Sequence, residues 1–382
     1  MSNVLKNSRG EIDRIDHAIL NLFNERMKIA REIGESKRDN NLPIENPQRE
    51  REILVRLRSE APEGLEDSTC MLFRTLFELS KADQRRIVSQ DSSLNKQFLT
   101  SLQNTPELFP KSARVGCCGI PGAYAQVAAD RLFSLADITY FNSFKAVFQA
   151  VEQGLCRYGV LPVENSTAGT VAAVCDLMRG HNFSIVRSIR LPICHALLVN
   201  PETRLSNIKE VFSHEHALKQ CGNYLEKYLP DAKLTSCATT AQAARLVAES
   251  GRCDAAAIGD ISCVDHYHLT ALSTSIQDSD YNYTRFICIS KTPEIYPGAD
   301  RISIMTTLPH QPGALNSLLE RFSLLGLNLC KLESRPIPGR NFEYMFYFDF
   351  EATVSDPDVR ALLTALSLEN EEFVFLGNYR EI

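Results

Sequence analysis

Gly159-Val160-Leu161-Pro162-Val163-Glu164-Asn165-Ser166-Thr167-Ala168-Gly169 is the stretch that decides the fold of the middle of this chain. Its first five residues read as a short strand, and the run then breaks into a polar loop closed by glycine, ahead of a helical stretch. A strand that feeds polar side chains into a loop before a helix is a unit of an α/β layer, and those polar groups should face a crevice. Outward from it, β-like runs recur at Ala113–Cys117, Ser184–Ile189, Cys194–Val199 and Ala255–Gly259, alternating with helical segments. The α/β reading therefore extends over 113–292. Two further polar runs fall inside it: Ser213-His214 with Gln220 seven residues on, and Asn282-Tyr283-Thr284-Arg285-Phe286. A glycine-containing turn spans Gly116 to Gly122, but Gly116-x-x-Gly119 lacks the spacing of a dinucleotide fingerprint.

Upstream the period changes from two to between three and four. Ile12, Ile15, Ile19, Leu22, Ile29 and Ile33 mark one stripe of a long amphipathic helix. Arg9, Arg26 and Lys37 extend the same stripe or fill its gap. An unpaired buried charge costs several kcal/mol, so a core-facing stripe with three cations implies an anion pocket. A second helix starts at Asn46-Pro47, a cap followed by proline, and carries Arg49 and Glu50. A third, about Ser68 to Ile87, aligns Phe73, Phe77, Ser80, Gln84 and Ile87. At about 1.5 Å per residue Arg26 and Lys37 lie roughly 16 Å apart, within reach of long side chains, whereas Arg9 lies roughly 25 Å from Arg26. Arg9 would then serve a second pocket, as in an intertwined two-fold dimer. The plain alternative has these cations snorkelling to solvent or pairing with Glu25 and Glu32. This helical domain is expected over 1–90, with a polar linker over 91–112.

Downstream, over 299–382, strands expected at Arg301–Leu308, Asn328–Arg335, Phe342–Glu351 and Phe373–Tyr379 are interleaved with helices from Pro312 and Asp358, a βαββαβ order of ferredoxin-like type. Pro312-Gly313-Ala314-Leu315 stands at a strand-to-helix turn, where glycine permits close approach and a helix N-terminus favours a carboxylate. Glu333-Ser334-Arg335-Pro336 stands at a strand end.

The 382 residues suggest two to four domains. Apolar residues at 44% and charged residues at 23% are ordinary for a globular chain, and a net charge of −6 gives no basic balance pointing to nucleic acid. The 12 cysteines are scattered without a C-x-x-C pair, so neither a zinc site nor a disulfide scaffold is expected. Neither an apolar leader nor a membrane-length apolar run is apparent, and a cytoplasmic location without membrane association is expected. No metal or cofactor is called for.

Three resemblances follow from these motifs. The first region resembles the all-helical chorismate mutase domain at the front of bifunctional aromatic-biosynthesis proteins, through Arg9, Arg26, Lys37, Arg49, Glu50, Ser80 and Gln84. The resemblance implies a Claisen rearrangement in which Arg9 (from a partner chain) and Arg26 hold two carboxylates. Lys37 and Gln84 would bond the ether oxygen, with Arg49 and Glu50 supporting binding. Asn46 stands where that family often has Asp, which puts its part in the site in question. The middle region resembles prephenate dehydratase through P-V-E-N-S-T-x-G, S-H-x-x-A-L-x-Q-C and N-x-T-R-F. That implies two α/β lobes, like a type-2 periplasmic binding protein, with Asn165, Ser213, Gln220 and Thr284 in the cleft. Thr284 would assist the leaving hydroxyl, Arg285 would bind substrate or brace the loop, and Glu164 is a further candidate. The tail resembles an ACT regulatory domain, with Gly313, Ala314 and Leu315 and Glu333, Ser334, Arg335 and Pro336 as its phenylalanine-site motifs. Substrates chorismate and prephenate, effector L-phenylalanine and a homodimer or tetramer are implied. Two other readings stay open: arogenate as substrate, and an amino-acid-binding module without catalysis.

Overall fold

The computed structural model describes residues 3–40, 42–89, 92–337, 339–340 and 343–382. It divides into two compact units: Met1–Gln103 with Ile304–Val374, and Asn104–Ser303 with Phe375–Ile382.

The first unit opens with helices α1 (Asn3–Asp39), α2 (Pro47–Glu60), α3 (Glu66–Ser89) and α4 (Ser93–Asn104). α2 starts where the cap signal lies: the Asn46 side chain accepts from the Arg49 amide and Pro47 occupies the first turn. α4 falls within the stretch expected as linker, while residues 90 and 91 at the expected boundary lie outside the described residues. α1 packs against α3 through Phe23, Arg26, Met27, Ala30, Gly34 and Lys37, all wholly or partly buried. The isoleucine stripe was expected to face the core. It does not: Ile12, Ile19, Leu22 and Ile29 are each more than half exposed, and residues 7–22 are exposed throughout. For residues 7–22 the physical reason is length, while Ile29, within the covered part, lies on the side of α1 turned away from α3. α1 is 37 residues long, about 55 Å, and the 24-residue α3 covers only its C-terminal part.

The second unit holds two mixed sheets. One contains β1 (Ser112–Cys118), β2 (Leu135–Phe141), β3 (Tyr158–Asn165) with the short β4 (Gly169–Thr170), and β5 (Ser184–Pro192), with helices α5 (Tyr124–Leu132), α6 (Phe144–Glu152) and α7 (Ala172–Gly180). The other contains β6 (Ala196–Val199), β7 (Glu210–His214), β8 (Lys233–Cys237), β9 (Ala255–Gly259) and β10 (Thr270–Ser273), with α8 (Glu215–Gln220), α9 (Gly222–Tyr228), α10 (Thr240–Ser250) and α11 (Cys263–Tyr267). The chain then returns to the first sheet as β11 (Tyr283–Ser290), antiparallel to both β3 and β5, giving the order β5-β11-β3-β1-β2. The second sheet has the order β10-β6-β9-β7-β8. Val115, Cys117, Tyr158, Val160, Phe286 and Cys288 centre the core of the first lobe, and Leu197, Val211, Ala256 and Ile258 that of the second. The last residue of β3, Asn165, thus stands beside the start of β11, which carries Thr284.

The tail comprises β12 (Arg301–Thr307), α12 (Ala314–Leu324), β13 (Asn328–Pro336), β14 (Tyr344–Glu351), α13 (Pro357–Glu369) and β15 (Phe373–Glu381), the expected βαββαβ order. Phe342, the expected start of the third strand, lies outside the described residues. The unit boundary runs through β12 and β15. In the first unit the tail strands follow β13-β14-β12-β15. In the second, Arg380 and Glu381 pair in parallel with Arg187 and Ser188 of β5.

Candidate active sites

In the helical region Arg26 and Lys37, three turns apart on α1, reach consecutive turns of α3. Arg26 Nη1 donates to the Leu76 carbonyl at 2.8 Å and to Ser80 Oγ, with its guanidinium 5.8 Å from the centre of the Phe77 ring. Lys37 Nζ donates to Gln84 Oε1 at 3.1 Å and to the Ile44 carbonyl at 2.5 Å. Gly34 makes this possible, because a Cβ there would stand 3.1 Å from Gln84 Cγ and 3.2 Å from Ile87 Cδ1. Ser80 and Gln84 are buried on α3, along with Phe77, Lys81 and Arg85. Burial lowers the pKa of Arg26. It lowers that of Lys37 too, where the carboxylate of Glu50 opposes the shift and the Lys81 ammonium adds to it. Glu50 itself is held by Lys81 at 3.2 Å. With Gln84 Oε1 occupied by Lys37, the amide NH₂ of Gln84 and a remaining Lys37 proton are left to donate to one ligand oxygen. Arg9 and Arg49 are not brought to this place: both are exposed, Arg9 on the bare half of α1 and Arg49 turned to Glu52 at 3.4 Å.

In the cleft, β11 sets Thr284 opposite Asn165 and Arg285 opposite Glu164. Successive strand residues face opposite sides, so the two pairs are segregated. Asn165 Nδ2 donates to Thr284 Oγ1 at 2.9 Å and to Asn282 Oδ1 at 2.8 Å. Its Oδ1 accepts from the Thr167 hydroxyl at 2.7 Å and the Ala168 amide at 2.8 Å. That saturated amide fixes the loop and makes Thr284 Oγ1 an acceptor, leaving the Thr284 O–H to donate elsewhere. Gln220, at the end of α8 in the second lobe, closes the ring. Its Nε2 lies 3.3 Å from Thr167 Oγ1, and its Oε1 accepts from Asn282 Nδ2 at 3.2 Å and faces His195 Nε2 at 3.1 Å.

A family model described as Chorismate mutase type II matches residues 8–85, and one described as Prephenate dehydratase matches residues 115–294. The bifunctional chorismate mutase/prephenate dehydratase of Aquifex aeolicus is 35% identical over 379 residues, spanning 98% of this chain and 97% of its own length. The chain belongs to the bifunctional chorismate mutase/prephenate dehydratase family. Its helical region is the mutase and its α/β region the dehydratase, an isomerase and a lyase of phenylalanine biosynthesis in one polypeptide. The arogenate dehydratase/prephenate dehydratase 2 of Arabidopsis thaliana is 34% identical over 316 residues, 78% of this chain and 81% of the relative. The solved prephenate dehydratase of Arthrobacter aurescens, in complex with L-Phe, matches with a TM-score of 0.64 at 28% identity, covering 70% of this chain and 89% of that one.

Three of the expected dehydratase residues are not part of the hydrogen-bond ring around Asn165 and Thr284. Ser213 is fully buried on β7 and spends its proton on the Ile258 carbonyl at 2.7 Å. Arg285 is buried on the face away from Thr284, donates to Tyr379 at 2.5 Å and pairs with Glu381 at 3.0 Å. Glu164 lies 3.9 Å from Arg285 on that same face. Arg285 thus ties β11 to the last strand, the bracing alternative. Conversely, Asn282 and His195 belong to the ring of hydrogen bonds though neither was singled out. Asn282 stood inside the quoted N-x-T-R-F run. His195 had no sequence signal, being brought in from β6's leading edge by tertiary packing alone.

Proposed function

We propose that chorismate is held in the mutase by Arg26, Ser80, Lys37 and Gln84, with Arg9 supplied by a second copy of the chain. The bare front half of α1, apolar along one side and about 30 Å long, supports an intertwined homodimer in which that rod covers its partner. Arg26 and the partner's equivalent of Arg9 neutralise the two carboxylates. Lys37 and Gln84 donate to the ether oxygen as its bond to carbon breaks and charge gathers on it. Holding the enolpyruvyl arm over the ring contributes the entropic share of the acceleration. Arg49 and Glu50 act around this core, Glu50 through the Lys37 field.

In the dehydratase the observation that carries the reading is the Asn165-to-Thr284 hydrogen bond. It aims the Thr284 proton at the hydroxyl that leaves. Carbon dioxide departs from the ring carboxylate, the electron pair of that bond enters the ring, and the hydroxyl departs with one proton as water. Aromatisation drives the step. Gln220 and Asn282 bound the pocket across the two lobes, whose arrangement we take to be of the type-2 periplasmic-binding-protein kind.

The domain limits we adopt are 1–90 for the mutase, 91–112 for the connection, 113–292 for the dehydratase and 299–382 for an ACT-type regulatory domain. L-phenylalanine as effector is supported by the L-Phe complex of the Arthrobacter aurescens dehydratase. Gly313 has the left-handed backbone (φ +86°) that a close turn needs, and Ala314 and Leu315 open α12. Glu333, Ser334, Arg335 and Pro336 lie on edge strand β13, separated from β12 by β14, roughly 10 Å away at ~4.8 Å per strand. β13 has no strand partner on its outer side among the described residues, which supports a site completed between two copies. Among the described residues no helix is long and apolar enough to cross a membrane, and we retain the cytoplasmic assignment.

Arogenate is the second reading, favoured by the Arabidopsis thaliana relative whose name carries both dehydratase activities. One assay separates these. Purified protein is given chorismate, prephenate or arogenate, with and without L-phenylalanine, and prephenate, phenylpyruvate and phenylalanine are quantified. Chorismate consumption with L-phenylalanine-suppressed phenylpyruvate formation is expected. Turnover of arogenate at a higher kcat/KM than prephenate would replace the first reading by the second.

A further inference from the structure

We propose that Arg321, on α12 of the C-terminal portion, is a positioning residue for the mutase reaction, acting through Glu45 on the loop that fixes Lys37. This rests on the assignment of Lys37 to the mutase site.

The loop between α1 and α2 has three anchors in a row. The Ile44 carbonyl accepts from Lys37 Nζ, the Glu45 carboxylate is gripped by two guanidiniums, and Asn46 caps α2. Arg321 Nη2 is 2.6 Å and Arg85 Nη2 3.3 Å from the same oxygen of Glu45. Both arginines also share Glu369 of α13, at 2.5 and 3.2 Å, and approach Glu78 at 3.9 and 3.7 Å. The Arg85 and Arg321 side chains are only 4% and 11% exposed, whereas Glu45 is 41% exposed, so the cluster is buried on its arginine side and needs its cations paired there.

Arg85 and Arg321 against Glu45, Glu78 and Glu369 leave one negative charge over. Lys81, bonded to Glu78, cancels it, but Lys81 also pairs with Glu50 at 3.2 Å, adding another carboxylate. Four carboxylates then face three cations. The fourth cation is Lys37, which feels both Glu50 and Lys81. Lys37 stands next to the cluster's last pair, Glu50 and Lys81. The cluster is thus electrostatically continuous from α12 to the mutase site, and mechanically continuous through Glu45 and Ile44.

The consequence is directional. Arg85 belongs to α3, a mutase helix, whereas Arg321 comes from a helix whose first residue follows Gly313. A shift of α12 along its axis moves the Arg321 guanidinium relative to Glu45. The loop then loses one of its two clamps, and the Ile44 carbonyl no longer holds Lys37 against Gln84.

The test uses the full chain. Arg321→Ala, Arg321→Lys and Glu45→Gln are assayed for chorismate consumption, and the same preparations for phenylpyruvate formation from prephenate. We expect Arg321→Ala and Glu45→Gln to lower mutase kcat roughly tenfold, the scale of one lost charge-assisted hydrogen bond, with KM for chorismate within twofold and the dehydratase rate unchanged. Arg321→Lys, which keeps a charge beside Glu45, should recover most of the loss. In a Lys37→Gln background Arg321→Ala should add less than twofold, because both act through one ammonium group. A merely structural role would lower the rate equally in either background and would not be rescued by lysine. Mutase kcat unchanged in both Arg321→Ala and Glu45→Gln, or losses that multiply in the Lys37→Gln background, overturn the proposal. Full mutase activity in Lys37→Gln alone overturns the assignment of Lys37, and this proposal with it.

Discussion

Replacing Thr284 by valine removes one hydroxyl while keeping the side-chain shape, which makes it a clean probe of the dehydratase site. In the structure Oγ1 accepts from Asn165 Nδ2 at 2.9 Å, and this direction of bonding is forced. Asn165 Oδ1 is already occupied by the Thr167 hydroxyl and the Thr167 and Ala168 amides, so its NH₂ is the end that faces Thr284. The Thr284 proton is therefore not spent on Asn165, and under the proposed mechanism it goes to the departing hydroxyl. Removing one preorganised donor to a developing charge costs about 2.7–4 kcal/mol, or roughly 100- to 1000-fold in kcat. Thr284 is only half-buried, which puts the expected loss near the lower end, about 100-fold. Asn165→Asp should do comparable damage, because a carboxylate in that position would draw the Thr284 proton to itself and away from substrate. The two changes remove the same interaction, so the double variant should be little worse than either single. Phenylpyruvate formation at saturating prephenate reads the effect, and chorismate consumption by the same preparation reports an intact chain. A Thr284→Val rate within threefold of the parent, or losses that multiply in the double variant, would refute the reasoning.

Other outcomes follow from particular contacts. Gly34→Val should lower mutase kcat about tenfold or more with the dehydratase unaffected, since its Cβ would press at 3.1–3.2 Å on Gln84 and Ile87 and part α1 from α3; chorismate kinetics check this. Gly377→Ala should destabilise the second unit by about 3 kcal/mol, because its Cβ would fall 2.2 Å from the Ile185 carbonyl oxygen, which is backbone and cannot swing away. Calorimetry should show the melting temperature falling by roughly 6–12 °C. Burial lowers the His195 pKa below its ordinary value near 6.5, with the Gln220 hydrogen bond and Asp260 opposing. The unfolded chain thus takes up the proton first, so the stability His195 confers is complete above about pH 6.5 and is lost as pH falls through its lower folded value. Melting curves from pH 7.5 to 5.5 should show a parent-minus-His195→Asn difference that shrinks toward acid; a flat difference would contradict it.

The helical first region, the α/β middle and the βαββαβ tail were all legible in the sequence, because periods of 3.6 and 2 and the cap at Asn46-Pro47 are local signals. The spacing singled out Arg26, Lys37, Ser80 and Gln84, and the structure brings these four together between α1 and α3, although the isoleucine stripe on which Arg26 and Lys37 were read is exposed. What spacing leaves open is which of two adjacent stripes meets a neighbour. Ile12, Ile19, Leu22 and Ile29 read as core, yet among the described residues they stay exposed. Facing within a sheet needs the partner strand. Only the Thr284–Asn165 register separates Thr284 from Arg285, and only the β7–β9 packing turns Ser213 inward. His195, and the Arg321 clamp on a loop 276 residues upstream, exist solely through the fold. A side chain's type and period are written along the chain. The distance, direction and burial that turn it into a site are set by residues far away in sequence, and these only the tertiary structure decided.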